Sequence, residues 1–187
     1  MNILKRDFYN RNTLVVAIEL LGKVLVVQHA KKRLRAKIVE TEAYFGATDP
    51  ASHAYRGMTP RNCLMFGLPG FTYVYFIYGN HYCFNVSALK SDAILIRALE
   101  PLEGIELMKK RRCIKDIKNL TNGPGKLTKA FGIDKRHDGL DLTKSNLFIE
   151  DSNEKIKIVK TIRIGISKAK EKLLRFYIKD NGFVSRK

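Results

Sequence analysis

Two acids stand two positions apart, Glu40 and Glu42, within an alternating stretch over residues 34–44. Strand side chains repeat with period two, so a regular strand sets Ala36, Ile38, Glu40, Glu42 and Tyr44 on one face. A carboxylate held against a reacting atom can take a proton from water or stabilise positive charge. Solvated acids on a half-exposed strand give the same pattern, and spacing alone does not separate the two. Arg97 interrupts the apolar run 93–99. A buried arginine requires a carboxylate or a phosphate, and Glu42 is the natural candidate.

Aromatic residues add a second kind of chemistry. Tyr44, Tyr55, Tyr73, Tyr75, Tyr78 and Tyr82 are six of the eight tyrosines and crowd into less than a quarter of the chain. Aromatic rings beside cations suit base stacking, worth about 1–3 kcal/mol per base. A core role explains Tyr73 and Tyr82 as well. Tyr78 differs, because it directly precedes Gly79-Asn80 at an expected hairpin tip, where an aromatic can wedge between bases. His53 falls in a loop, and a lone histidine is more often structural than catalytic. His29, His81 and His137 have no metal-ligand spacing with it. Gly123-Pro124-Gly125-Lys126 offers free N–H groups at a helix start plus one cation, a plausible phosphate clamp.

The charge balance narrows the partner. Lys plus Arg number 35 against 18 Asp plus Glu, a net charge of +17 over 187 residues. Such a surplus repels itself unless a polyanion offsets it. Nucleic acid is the first candidate and an anionic membrane surface the second. A surface-bound protein would carry a basic amphipathic helix with a large apolar face, and no segment has that pattern. Cys63, Cys83 and Cys113 are isolated, which argues against a disulfide framework and a zinc site and fits a reducing compartment. With no apolar leader and no run long enough to span a bilayer, the sequence reads as cytoplasmic.

These residues need a sheet to hold them. Asn12 or Thr13 caps a helix over residues 14–21, ended by Gly22. Residues 24–27 and 34–44 form strands, with a hairpin turn at the basic residues 31–33. Residues 46–70, with Pro50, Pro60 and Pro69 among four glycines, make a long loop. Residues 71–78 and 81–88 pair across Gly79-Asn80 as a tight hairpin. Residues 93–99 form a further strand. Pro101 is expected in the first turn of a helix with Glu103 and Glu106 early and residues 109–112 basic and late. Gly123 opens another helix that Gly132 closes. Residues 148–150, 155–160, 163–167 and 173–178 read as strands. The expected fold is α+β: one domain over residues 1–187, a curved mixed or antiparallel sheet resembling an open barrel, peripheral helices and a protruding β-hairpin.

Taken together the motifs resemble the alkyladenine (3-methyladenine) DNA glycosylase family. They are VETEAYFG at 39–46, SHAYRG at 52–57, TPRN at 59–62, YVYFIYGNHYCFNVS at 73–87, ILIRALEPLEG at 94–104 and NGPGKL at 122–127. The six stand in order, and the match extends over residues 13–178, nearly the whole chain. The resemblance implies a monofunctional, monomeric glycosylase of base excision repair that binds double-stranded DNA. Such an enzyme extrudes damaged purines, among them 3-methyladenine and hypoxanthine, and hydrolyses the glycosidic bond with neither metal nor organic cofactor. By that resemblance Glu42 is the general base for water, and Arg97 helps hold the water and the carboxylate. Tyr44, His53 and Tyr75 sandwich and hydrogen-bond the base, and Asn85 disfavours normal guanine. Tyr78 fills the gap in the duplex. Apart from that resemblance, the cations Arg61 and Lys126 are the expected contacts to the DNA backbone. Glu42 is then expected to be partly buried, ionised and within reach of Arg97 at the floor of an aromatic slot. The role of the basic tail, residues 168–187, rests on charge alone.

The competing account is a non-catalytic module for RNA or single strands, which the charge and tyrosines would also suit. It provides no reason for a carboxylate beside Tyr44 or an arginine inside an apolar strand.

Overall fold

The computed structural model describes residues 2–29, 32–77 and 81–186. The fold is α+β, built on one curled antiparallel sheet of eight strands. In chain order these are β1 (Val24–His29), β2 (Lys32–Tyr44), β3 (Thr72–Ile77), β4 (His81–Ser87), β5 (Ala93–Glu103), β6 (Leu147–Glu150), β7 (Ile158–Thr161) and β8 (Arg175–Ile178). The path runs β3-β4-β5-β2-β1-β6, and β8 joins β2 to β7. Strand β2 is the hinge of the sheet. One edge meets β5 along its length, while the other pairs with β1 over its first half and with β8 at Glu40, Thr41 and Glu42.

The helices α1 (Arg6–Tyr9), α2 (Thr13–Glu19), α3 (Ile105–Arg112) and α4 (Pro124–Phe131) are short and peripheral. Asn12 caps α2, its side chain accepting from the N–H groups of Leu14 and Val15. Gly132 ends α4 in the left-handed conformation. Val16, Leu20, Leu127 and Phe131 pack with Val27, Ile38, Val74, Phe84 and Ile96 in one core on one face of the sheet.

Regular alternation fails on β2, and the failure creates the site. Ile38 pairs with Leu99 and Glu40 with Ala98, so Val39 is an extra residue on β2. Glu40 pairs with Ala98 and Thr41 with Ile96, so Arg97 is an extra residue on β5. Such bulges re-aim side chains. Before them, Leu34, Ala36 and Ile38 face the core; after them, Val39 and Ala43 do. The expectation that Ala36 and Ile38 share a face with Glu40, Glu42 and Tyr44 is therefore corrected. On a regular strand both glutamates would enter the apolar core, where an unpaired carboxylate is prohibitively costly.

Two further expectations are corrected. Pro101 does not begin a helix; it lies in β5 opposite Ala36, next to another register shift, where no ladder N–H is required. The helix starts later, after Gly104, whose φ of +80° suits glycine and whose added Cβ would meet the Leu34 side chain and the Arg33 carbonyl. Residues 163–167 form no strand; the Ile164 backbone N–H goes to the Glu42 carboxylate instead of a neighbouring strand.

Candidate active site

The face opposite the core carries the candidate site residues. Across four strands, Tyr73 pairs with Asn85, Asn85 with Leu95, Leu95 with Glu42, and Glu42 pairs on with Arg175 of a fifth. Period two puts Tyr75, Cys83 and Tyr44 on the same side. Here the sheet walls a cavity of about 1030 Å³, whose lining includes Tyr44, His53, Tyr73, Tyr75, Asn85 and Arg97. Such a volume is of the size that takes small ligands.

Glu42 lies beneath this cavity, fully buried with 0% exposure rather than partly buried as expected. Its Oε2 accepts from the Tyr44 hydroxyl at 2.8 Å and from Arg97 Nη1 at 3.3 Å. Its Oε1 accepts the backbone N–H of Ile164 at 2.8 Å. Tyr44, Arg97 and Ile164 all line the cavity, so the carboxylate is one side chain removed from it. Burial raises the Glu42 pKa above the usual carboxylate value, against the pull of Arg97, the Ile164 N–H and Tyr44.

The aromatic wall is tightly made. The rings of His53 and Tyr75 lie 4.5 Å apart, and those of Tyr73 and Tyr75 5.1 Å apart. His53 Nδ1 is 2.9 Å from the Tyr73 hydroxyl. Desolvation, and then the charge of Arg61, lower the His53 pKa. The imidazole is thus held in its neutral form at pH 7. Burial raises the Tyr73 hydroxyl to about 12 and also pushes up those of Tyr44 and Tyr75, so all three remain neutral hydrogen-bonding groups. Asn85, 3% exposed, donates to the Tyr73 carbonyl at 3.0 Å and keeps its carbonyl oxygen for another partner.

Two expected backbone contacts differ in placement. Arg61 belongs to the cavity wall, its guanidinium 5.7 Å from the Tyr75 ring centroid and 3.4 Å from the Phe76 carbonyl. Lys126 lies outside the lining, its amine donating to Asn122 Oδ1 at 2.8 Å. Its neighbour Pro124 does line the cavity. That approach depends on Gly125, where an added Cβ would stand 2.7 Å from the His81 ring. Tyr78 lies outside the described residues.

Sequence reasoning missed the segment that closes the site. Arg163 is fully buried and grips Asp49 with both terminal nitrogens, Nη2 at 3.0 Å from Oδ1 and Nη1 on Oδ2. Nη1 also donates to the Ala43 carbonyl at 3.0 Å, and the guanidinium sits 4.6 Å from the Tyr44 ring centroid. Burial pushes the Asp49 carboxyl up, but Arg163 and nearby N–H groups outweigh it and hold its pKa below the usual value. Arg163 thereby seats the Tyr44 ring and presents the next residue's N–H to Glu42. Arg175 was missed too; its Nη1 donates to Glu40 Oε1 at 2.7 Å.

Comparison with known proteins shows the family. The methylpurine-DNA glycosylase family matches residues 7–182. The chain belongs to that family. It is a DNA glycosylase, a hydrolase of DNA repair whose substrate is DNA. Full-length relatives agree. A protein of Desulfitobacterium hafniense (strain Y51) is 49% identical over 203 aligned residues, covering 100% of both chains. One from Clostridium novyi (strain NT) is 46% identical over 202, again covering 100% of both. One from Carboxydothermus hydrogenoformans is 48% identical over 191, covering 99% of this chain and 100% of its own. All three carry the provisional name 3-methyladenine DNA glycosylase. Among the described residues of this glycosylase, no helix is long and apolar enough to cross a membrane.

Proposed function

We propose that residues 1–187 act as one monomeric, monofunctional glycosylase domain that removes alkylated or deaminated purines from duplex DNA. The base swings out of the duplex into the slot between Tyr44 on one side and His53 with Tyr75 on the other. Asn85 at the wall reads the edge of the base. Tyr78 takes the place of the extruded base in the stack, a role that rests on family resemblance. Extrusion costs a few kcal/mol, least for a damaged or mispaired base, and so favours lesions before any contact discriminates.

The observation that carries this reading is the hydrogen bonding of Glu42. An ionised carboxylate has about four lone-pair sites, and Tyr44, Arg97 and Ile164 occupy three. The fourth takes a water entering between Tyr44 and Arg97. As the C1′–N bond breaks with its electron pair leaving on the purine, the water oxygen bonds C1′ and its proton passes to Glu42. The negative charge also stabilises the oxocarbenium-like sugar. A purine already cationic through methylation departs neutral and needs no acid, and it stacks well on electron-rich tyrosines.

The test is a duplex carrying one 3-methyladenine or one hypoxanthine. Free base and an alkali-labile site should appear, with no strand cut before alkali and nothing comparable from the undamaged duplex. Tight binding to plain RNA with no base released from either lesion would overturn the reading.

The charge of +17 serves the DNA backbone. Log affinity should fall linearly with log salt, by about 0.9 for each phosphate neutralised. Lys126→Ala should weaken binding equally across sequences and reduce that slope by about 1. Titration at four salt concentrations checks this; an unchanged slope would remove Lys126 from the phosphate contacts.

A further inference from the structure

Behind Glu42 lies a second, equally buried carboxylate. Glu40 is 0% exposed, yet none of the chemistry above uses it. Its Oε1 lies 3.4 Å from Arg97 Nε, so one guanidinium is shared between Glu40 and Glu42. The same Oε1 accepts from Arg175 Nη1 at 2.7 Å and from the Ser185 hydroxyl at 3.0 Å. Its Oε2 accepts the Ser185 backbone N–H at 2.7 Å. Arg175 is in turn tied to the Arg186 carbonyl at 2.8 Å, and Phe183 packs against the core. Residues 183–186 are thus laid across the back of the site and hold Glu40 in one orientation.

We propose that Glu40 is a positioning residue for base excision. Latched by Ser185 and Arg175, it anchors Arg97 from behind and fixes where that guanidinium meets Glu42 and the water. This deepens the proposed function and rests on Glu42 being the base. The arrangement also sets strength. Arg97 divides its charge between two carboxylates, so Glu42 is neutralised less than it would be in an exclusive pair and stays the stronger base. The groups facing Glu42 are Arg97 from β5, Tyr75 from β3, Cys83 from β4, Arg175 from β8 and Arg163 with Ile164 from the closing segment. On its own strand Tyr44 and Glu40 face it, and Glu40 is the only acid of the set.

Glu40→Gln keeps the shape and an acceptor for Ser185 but removes the charge. Arg97 then belongs to Glu42 alone. The single-turnover rate on a hypoxanthine duplex should fall roughly tenfold or more at its plateau, a cost in keeping with a misplaced catalytic group. The acid limb of the pH–rate profile should move down by about one pH unit, because the like charge beside Glu42 has gone. A merely structural role would lower the melting temperature and leave that limb in place. Ser185→Pro, which removes both the N–H and the hydroxyl from a full-length chain, should lower the rate in the same direction. Added to Glu40→Gln it should cost nothing further, since both act through one contact. Additive losses, or an acid limb unmoved in Glu40→Gln, would overturn the proposal. Glu42→Gln is run alongside. If it retains full rate, the base assignment fails; if it is dead while Glu40→Gln keeps a wild-type limb, only the role of Glu40 fails.

Discussion

Glu42→Gln should lose about 10²–10⁴-fold of the single-turnover rate of base release, the usual contribution of a positioned general base. Binding to the same damaged duplex should remain close to wild type, because Glu42 is buried beneath the cavity rather than exposed to DNA. Gln keeps a carbonyl oxygen for the Ile164 N–H and turns its amide toward the Tyr44 hydroxyl, which can accept instead of donating, so size and shape are kept while basicity is removed. The measurement is single-turnover release of hypoxanthine with enzyme in excess, paired with equilibrium binding. Comparable losses in rate and in binding would mean that the substitution disturbed the slot rather than the chemistry. Stability should respond in a definite sense. Burial raises the folded-state pKa of Glu42, so between the ordinary and the raised value the folded protein binds more protons than the unfolded chain. Its contribution to stability therefore declines as pH rises through that window, and Glu42→Gln removes this slope.

Arg163→Met should produce the largest loss of stability, about 3–5 kcal/mol, the cost of leaving one partner of a buried pair uncompensated. Both side chains of the Arg163–Asp49 pair are fully buried. For a chain of this size each kcal/mol is worth about 2–4 °C of melting temperature, so a drop on the order of 10 °C is expected by calorimetry. Arg163→Met with Asp49→Asn should lose clearly less than the sum of the two single changes, since the orphaned charge is then absent. The pH dependence has the opposite sign to that of Glu42. The Asp49 pKa is lowered, so the pair contributes fully above the ordinary carboxylate value, and this contribution is lost as pH falls through the lowered one. Activity should fall as well, because Arg163 seats Tyr44 and aligns the Ile164 N–H. A melting temperature within 2–3 °C of wild type, under about 1 kcal/mol on that scale, would show that the pair carries no such load.

Much of this was readable from residue pattern alone. The hairpin of β3 and β4 follows from two β-branched and aromatic runs around Gly79-Asn80. Helix α4 follows from Gly123-Pro124 at one end and Gly132 at the other. The neighbourhood of Glu42, Tyr44 and Arg97 followed from an arginine stranded in an apolar run. That same clue occurs twice more in the sequence. Ile162-Arg163-Ile164 and Leu174-Arg175-Phe176 also put an arginine among apolar residues, and both arginines bind buried acids. Composition displays the tail only as charge, whereas Ser185 holds Glu40 with its backbone N–H and hydroxyl and Arg186 holds Arg175 with its carbonyl, contacts that no sequence pattern displays. The bulges at Val39 and Arg97 were hidden for a related reason. Periodicity assumes one residue per step, and only the packing of β2 between β5, β1 and β8 requires an extra one.

The pH dependence of base release in the wild-type enzyme and in Glu42→Gln, on one hypoxanthine duplex, bears most directly on the chemistry. In the wild type the rate should climb as pH rises through a value above the ordinary carboxylate pKa and then level off, because only ionised Glu42 can take the proton from water. In Glu42→Gln the rate should be low and flat across the same range. An identical acid limb in both proteins would contradict the account, since some other group would then be titrating with the reaction.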